Sequence, residues 1–252
     1  NTLILVWFIP AIEKIVNKLI PSNEEEEFRL KFIPSGFMSA GELSIEPAKK
    51  EIEAFSKRVV RMYDFIPELF ELNDDKKFEQ LMSRTHKYEE ITDRMEVEIA
   101  NYLTKVSENG MRLGASQEIS AMLRIVDNLE SIGDSCYQLS LTIDSKRKQN
   151  IAYSQEMNEK LQKMFSLVKE AVLEMNNNLS ANYHNVSIDR AKELENRINE
   201  YRDQLRTEHT EAVKQNQYPY QTGISYSTLY AQCEKLADFA INVTEAIDKI
   251  KK

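Results

Sequence analysis

The sequence predicts an all-α protein built as two tandem antiparallel three-helix bundles, preceded by a short apolar helix. Three observations carry this. The long segments between breaks show apolar residues spaced by three and four, and no alternating run survives inspection. Proline and glycine are sparse, with six of each in 252 residues, and they fall where helices would have to end. The third is an internal repeat: Asn128-Leu129-Glu130-Ser131-Ile132-Gly133-Asp134 recurs in frame as Gln232-Cys233-Glu234-Lys235-Leu236-Ala237-Asp238, and repeats set architecture before any local preference does.

The chain opens on Leu3 to Ile9, an apolar run that passes through Pro10 into Ile12, Ile15, Val16, Leu19 and Ile20 at helical spacing. It is too short to cross a bilayer alone and lacks the charged start and small-residue cleavage site of a signal peptide. Two readings of residues 1–20 stand side by side: the end of a transmembrane helix, with Trp7 near the interface, or an amphipathic helix packed on a soluble core. Residues 21–41 read as a linker, since Pro21, Pro34, Gly36 and Gly41 surround the acidic run Glu24 to Glu27. Six helices follow, at roughly 42–73, 75–107, 115–146, 152–180, 186–216 and 224–251, with Pro67 expected to kink or shorten the first. The third shows its buried stripe through Ile119, Met122, Val126, Leu129, Ile132, Cys136, Leu139 and Ile143, and the sixth through Leu229, Cys233, Leu236, Ala240, Val243 and Ile247. Short turns between long helices make neighbours antiparallel, so residues 42–148 form one bundle and 149–252 a second.

Composition narrows the function. A net charge of −8 and a pI near 5.2 argue against duplex nucleic acid, which needs a basic face to displace phosphate counterions. Metal cations or basic partner surfaces suit this balance better. Cys136 and Cys233 both lie in helical patterns, so the chain carries no disulfide framework and a reducing setting is the default. No histidine stands three residues after a glutamate, no Gly-rich phosphate loop, Cys-x-x-Cys or His-Glu-x-x-His occurs, and no nucleophile arrangement is evident. The reading is not an enzyme.

The acidic pairs carry what chemistry there is. Glu130 and Asp134 lie one turn apart on the third helix, Glu234 and Asp238 on the sixth. Upstream helices hold comparable pairs, Glu89 with Asp93 and Glu195 with Asn199, and Glu195 follows Glu89 by 106 residues where Glu234 follows Glu130 by 104. With 41 acids in 252 residues, about six such pairs arise by chance on solvated faces, so spacing alone decides nothing. Position does: the carboxylates flank the apolar row through Leu129, Gly133 and Tyr137, and Gly133 and Ala237 are small enough to let another helix come close. Carboxylates beside a seam need either basic partners or metal ions.

At these residues the chain resembles the PhoU-like proteins, two tandem three-helix bundles whose second and third helices carry Glu-x-x-x-Asp motifs that bind metal clusters. Leu129-Glu130-Ser131-Ile132-Gly133-Asp134 and Glu234-Lys235-Leu236-Ala237-Asp238 look like the family's Leu-Glu-Arg-Ile-Gly-Asp type of signature, over a resemblance spanning about residues 45 to 250. It implies a metal site from Glu89, Asp93, Glu130 and Asp134, and a second from Glu195, Asn199, Glu234 and Asp238, in which Asn199 stands where an acid is expected and Asp203 is the nearest substitute. The implied cofactors are metal ions: iron, zinc or another divalent cation. Asn1 through Pro21 look like the end of the last membrane helix of bacterial sodium/phosphate cotransporters that carry such a domain. That implies a cytoplasmic regulatory domain at the bacterial inner membrane, partnered by its own transmembrane transport domain upstream of Asn1, with a sensor kinase or transporter subunit as further partners and a homo-oligomer admitted. A stand-alone adaptor of the same type, or a helical metal-binding interaction module, are the alternative expectations. Circular dichroism checks the foundation of all three: about two-thirds helix or more is expected, and a substantial strand signal would end the bundle reading.

Overall fold

In the computed structural model, residues 30–33, 44–108, 113–181, 186 and 188–250 are described, and among them every regular element is a helix. The order is α1 (Ile45–Glu71), α2 (Asp75–Glu108), α3 (Leu113–Lys148), α4 (Gln155–Ser180), α5 (Ile188–Lys214) and α6 (Tyr220–Ile250). The expected helix over 1–20 and nearly all of the 21–41 linker lie outside the described residues, as does His184. No described helix is long and apolar enough to cross a membrane.

Local chemistry explains most helix ends. Asp74 caps α2 by accepting the N–H of Lys77 at 2.9 Å, and Ser154 caps α4 by accepting that of Met157 at 3.1 Å, each satisfying one of the donors a helix start leaves open. The carbonyls at the end of α1 are taken up from another helix: Arg147 donates to Leu72 O at 2.6 Å and Asn73 O at 2.9 Å, and pairs with Asp75. Both α3 and α5 close on an asparagine with positive φ, Asn150 at 52° and Asn216 at 54°, where Ile151 N–H reaches back to Lys146 O and Gln217 N–H to Ala212 O. Asparagine is the non-glycine residue that tolerates this left-handed closing turn best. Two expectations shift. α1 continues past Pro67 to Glu71 without an early break, because Pro67 lies one turn from the end and its missing donor costs only one helical bond. α6 starts at Tyr220, four residues before the expected start, so Gly223 belongs to its first turn.

α1, α2 and α3 pack as one bundle and α4, α5 and α6 as the other. The two are not separate bodies with separate interiors. α3 against α6 is the most extensive helix pair in the molecule, α1 packs on α4, and buried residues of both halves form one continuous core. Cys136 of α3 and Cys233 of α6 are fully buried free thiols in this shared core. The methionines Met62, Met95, Met122 and Met164 are core residues, each at most 2% exposed. Polar contacts add register: Ser56 donates to Asn176 Oδ1 at 2.8 Å, Thr142 to Gln232 Oε1 at 3.1 Å, and the buried Tyr63 hydroxyl to Phe165 O at 2.7 Å.

Tyr63→Phe removes that hydroxyl and leaves the ring's packing intact. The expected loss is about 1 kcal/mol, the net value of one buried hydrogen bond. Urea unfolding should show it as a lower midpoint with an unchanged slope in a single transition spanning both halves.

Candidate functional site

The first acidic row flanks a tight contact between α2 and α3 at Gly133. A Cβ at Gly133 would lie 2.8 Å from Thr92 Oγ1 and 3.2 Å from Thr92 Cβ, so only glycine lets α2 and α3 come this near. Thr92 itself is buried, its hydroxyl spent on Glu89 O at 2.7 Å. On either side of this contact the carboxylates of the two helices face a common strip. Glu89 and Glu130 are half-buried, while Asp93 and Asp134 remain exposed. All four predicted residues of the first half therefore share one neighbourhood.

Electrostatics identifies two more members. Burial raises Glu130 first, then Glu96, Asp93 and Asp134 push it further, to about 7. Glu96 is itself raised by burial, then by Asp127 and Asp93, and Asp93 is raised by burial, then by Asp134 and Glu90. Every charged group that shifts Glu130 is a carboxylate; the one relief is a 3.4 Å hydrogen bond from Ser131. Glu89 is raised by burial and by Asp93 but has a local partner, His86, whose Nδ1 lies 3.4 Å away and whose ring stacks on Tyr137 with centroids 5.2 Å apart. Glu96 and Asp127 had a signal in the sequence, since Glu96 lies seven residues after Glu89 and Asp127 seven before Asp134, two helical turns along the same rows.

The second row is differently made. Arg202 Nη1 sits 2.8 Å from Glu234 Oε1, and Arg202 Nε lies 2.9 Å from Asp203. By the offset that relates Glu89 to Glu195, Arg202 occupies the place of Glu96, and by the offset of the third helices Ala231 occupies that of Asp127. With Asn199 in the place of Asp93, three acids are thus lost and one arginine is gained. Asp203 is drawn to Arg202 and Arg206 instead of substituting for the neutral Asn199. Asp238 is still raised by burial, then by Glu234 and Glu195, to about 6, with Arg202 opposing the rise. Asn199, the difference visible from the sequence pattern, is smaller than the internal ion pair through Arg202, which places a full charge among the donors.

Oxygen donors of this kind suit a hard divalent cation. The charges that act on Glu130 are all carboxylates, whereas Glu234 in the second row is partly neutralised by Arg202. As the side chains stand, no three His, Cys, Asp or Glu among the described residues are gathered closely enough to hold a metal ion.

The PhoU domain family model matches residues 52–143, from the first turns of α1 to the last of α3. The chain contains a PhoU-like domain. No curated protein matches this chain. Among solved structures, the phosphate transport system regulatory protein PhoU from Streptococcus pneumoniae superposes with a TM-score of 0.68 at 13% identity, covering 82% of this chain and 95% of that one. PhoU from Pseudomonas aeruginosa superposes with a TM-score of 0.71, also at 13% identity, covering 82% and 96%. The PhoU-like fold therefore extends through both halves. The sequence match covers the half whose acidic rows are complete, while the half carrying Asn199, Arg202 and Ala231 keeps the fold without it.

Two outcomes follow from this geometry. Gly133→Ala should destabilise by about 1–2 kcal/mol, the overpacking cost outweighing alanine's better helix propensity, and adding Thr92→Ala should recover part of the loss in urea unfolding. The folded protein also holds the Glu130 proton more tightly than the unfolded chain, whose value is near 4.5. The stabilisation is full below that value and disappears as pH rises through about 7. In chelator, the stability of Glu130→Gln relative to wild type should therefore rise between pH 5 and 8, measured by thermal unfolding.

Proposed function

We propose that this chain is a non-catalytic regulatory domain for phosphate transport that takes up divalent metal in its first half. The observation that carries the metal reading is the first acidic row, six carboxylates on α2 and α3 with raised proton affinity at Glu89, Asp93, Glu96 and Glu130 and no cationic side chain among the charges that act on Glu130. A divalent cation would supply the missing positive charge, with Glu89, Asp93, Glu130 and Asp134 as its oxygen ligands. Glu195, Asn199, Glu234 and Asp238 are the corresponding second set, which has to release Arg202 from Glu234 before it can bind as well.

The regulatory part of the reading rests on the PhoU-like fold and on what the Streptococcus pneumoniae protein is, a regulatory protein of a phosphate transport system. The apolar run Leu3 to Ile9 and the helical spacing after it favour attachment to an upstream transmembrane transport domain at the bacterial inner membrane, with this domain on the cytoplasmic side. A stand-alone adaptor acting on a transporter subunit or sensor kinase is supported by a different observation: the aligned region accounts for 95% and 96% of these two PhoU chains, so two such bundles make up nearly all of each.

Elemental analysis of protein purified without chelator tests the metal. Glu130→Ala with Asp134→Ala should remove most of the bound metal, and Glu234→Ala with Asp238→Ala should remove less. Wild type carrying no metal after supplementation would overturn the assignment, and a greater loss from the second pair would overturn the role given to Arg202. For regulation, the first double variant should alter phosphate uptake by cells at unchanged protein abundance.

A further inference from the structure

We infer that a cavity at one end of the second bundle binds a small organic cation through a primary ammonium group. The cavity measures about 730 Å³ and lies where α4 begins, α5 ends and α6 begins. Volumes of about 300–1,000 Å³ are usual for small-molecule sites. Part of its wall is tightly built. Tyr218, in the turn between α5 and α6, folds back onto His209: the two rings stack with centroids 5.9 Å apart, and the Tyr218 hydroxyl lies 2.6 Å from His209 Nδ1. A Cβ at Gly223 would come within 3.1 Å of both rings, so glycine there lets the first turn of α6 lie close over this pair.

Two hydroxyls in the wall are built in and unspent. Thr222 and Tyr226 stand one turn apart on the same face of α6, are 6% and 4% exposed, and both line the cavity. Neither side-chain oxygen has a hydrogen-bond partner among the described residues, and neither is sealed from solvent as the Tyr88 hydroxyl is. The Tyr226 hydroxyl lies within electrostatic reach of Glu208 and Tyr218, two other residues of the wall, which sets it on the cavity side of its ring. The Tyr153 hydroxyl, by contrast, is taken up by Ser225 at 2.6 Å, and its ring meets that of Tyr226 edge-on at 6.0 Å.

Charge favours a cation here. Glu156, Glu208 and Glu211 border the cavity along with one ammonium group, that of Lys160. Lys160 donates to Glu156 and lies 2.6 Å from Glu208, while Lys214 reaches Glu211 at 3.6 Å. Three carboxylates thus stand against two ammonium groups, and each carboxylate offers about four lone-pair sites, so these pairs leave acceptors open. His209 adds no opposing charge at neutral pH, because burial lowers its proton affinity. The rings of Tyr153, Tyr218 and Tyr226 supply faces that attract a cation. An ammonium group donates hydrogen bonds and accepts none, which matches two open hydroxyl oxygens beside a carboxylate. An anion would meet Glu208 next to Tyr226. The site does not depend on the metal reading, since none of its residues belongs to the acidic rows.

Titration calorimetry on the full chain at neutral pH, in chelator and at fixed ionic strength, tests this with phenethylamine, its neutral counterpart phenethyl alcohol and its anionic counterpart phenylacetate. Saturable one-to-one binding is expected for the amine, binding weaker by about tenfold or more for the alcohol, and none for phenylacetate. Tetramethylammonium, which carries the charge but cannot donate a hydrogen bond, should bind more weakly than the amine. Tyr226→Phe keeps the buried ring and should weaken the amine about tenfold, corresponding to one hydrogen bond to a charged group. Thr222→Val keeps the side chain's shape and should also weaken it, with the fold of both variants retained by circular dichroism. Glu130→Ala with Asp134→Ala should leave binding unchanged. The proposal is overturned if the amine shows no saturable binding, if the alcohol, phenylacetate or tetramethylammonium binds as tightly, if Tyr226→Phe and Thr222→Val both bind as wild type does, or if binding is lost with the acidic row.

Discussion

The packing of α3 on α6 is the constraint on which the rest of this molecule depends. Each of these helices is the third member of its own bundle, and each turns one apolar face toward the other half, so that a single core runs through both. At their junction Cys136 and Cys233 behave as small apolar side chains, fully buried and with their proton affinity raised by burial. With that face committed, Glu130 and Asp134 can only emerge along the flank that α2 approaches. Glu234 and Asp238 do the same on α6 with respect to α5.

Two copies of one plan have thereby acquired different electrostatics. In the first, Gly133 admits α2 closely and carboxylates accumulate from both helices, so their mutual repulsion and partial burial raise proton affinity. In the second, Ala237 replaces the glycine, and Arg202 neutralises Glu234. An arginine inside a row of oxygen donors is a resident cation with fixed geometry, and any metal ion would have to compete with it. The stable packing common to both halves leaves the surface rows free to diverge.

Neighbouring residues of α2 have different surroundings. Tyr88 is fully buried, its ring edge-on to Phe65 at 5.0 Å, while the next residue, Glu89, belongs to the acidic row. Successive residues on a helix point about 100° apart, so adjacent positions serve different faces.

The helices, their order and the acidic repeat were legible in the sequence, because a 3.6-residue apolar period and a few helix-ending residues are local signals that survive without knowledge of neighbours. So were the four carboxylates of the first row, whose i, i+4 spacing defines a face by itself. Glu96 and Asp127 belonged to the same faces at seven-residue spacing, but only the meeting of α2 and α3 made them part of Glu130's surroundings. The decisive difference between the halves was likewise tertiary: nothing along the chain says that Arg202 reaches Glu234 from one helix to another. The shared core and the open hydroxyls of Thr222 and Tyr226 depend on which helix faces meet. A linear pattern states which side of a helix is apolar, and only packing decides what that side, and the polar residues at its margin, will touch.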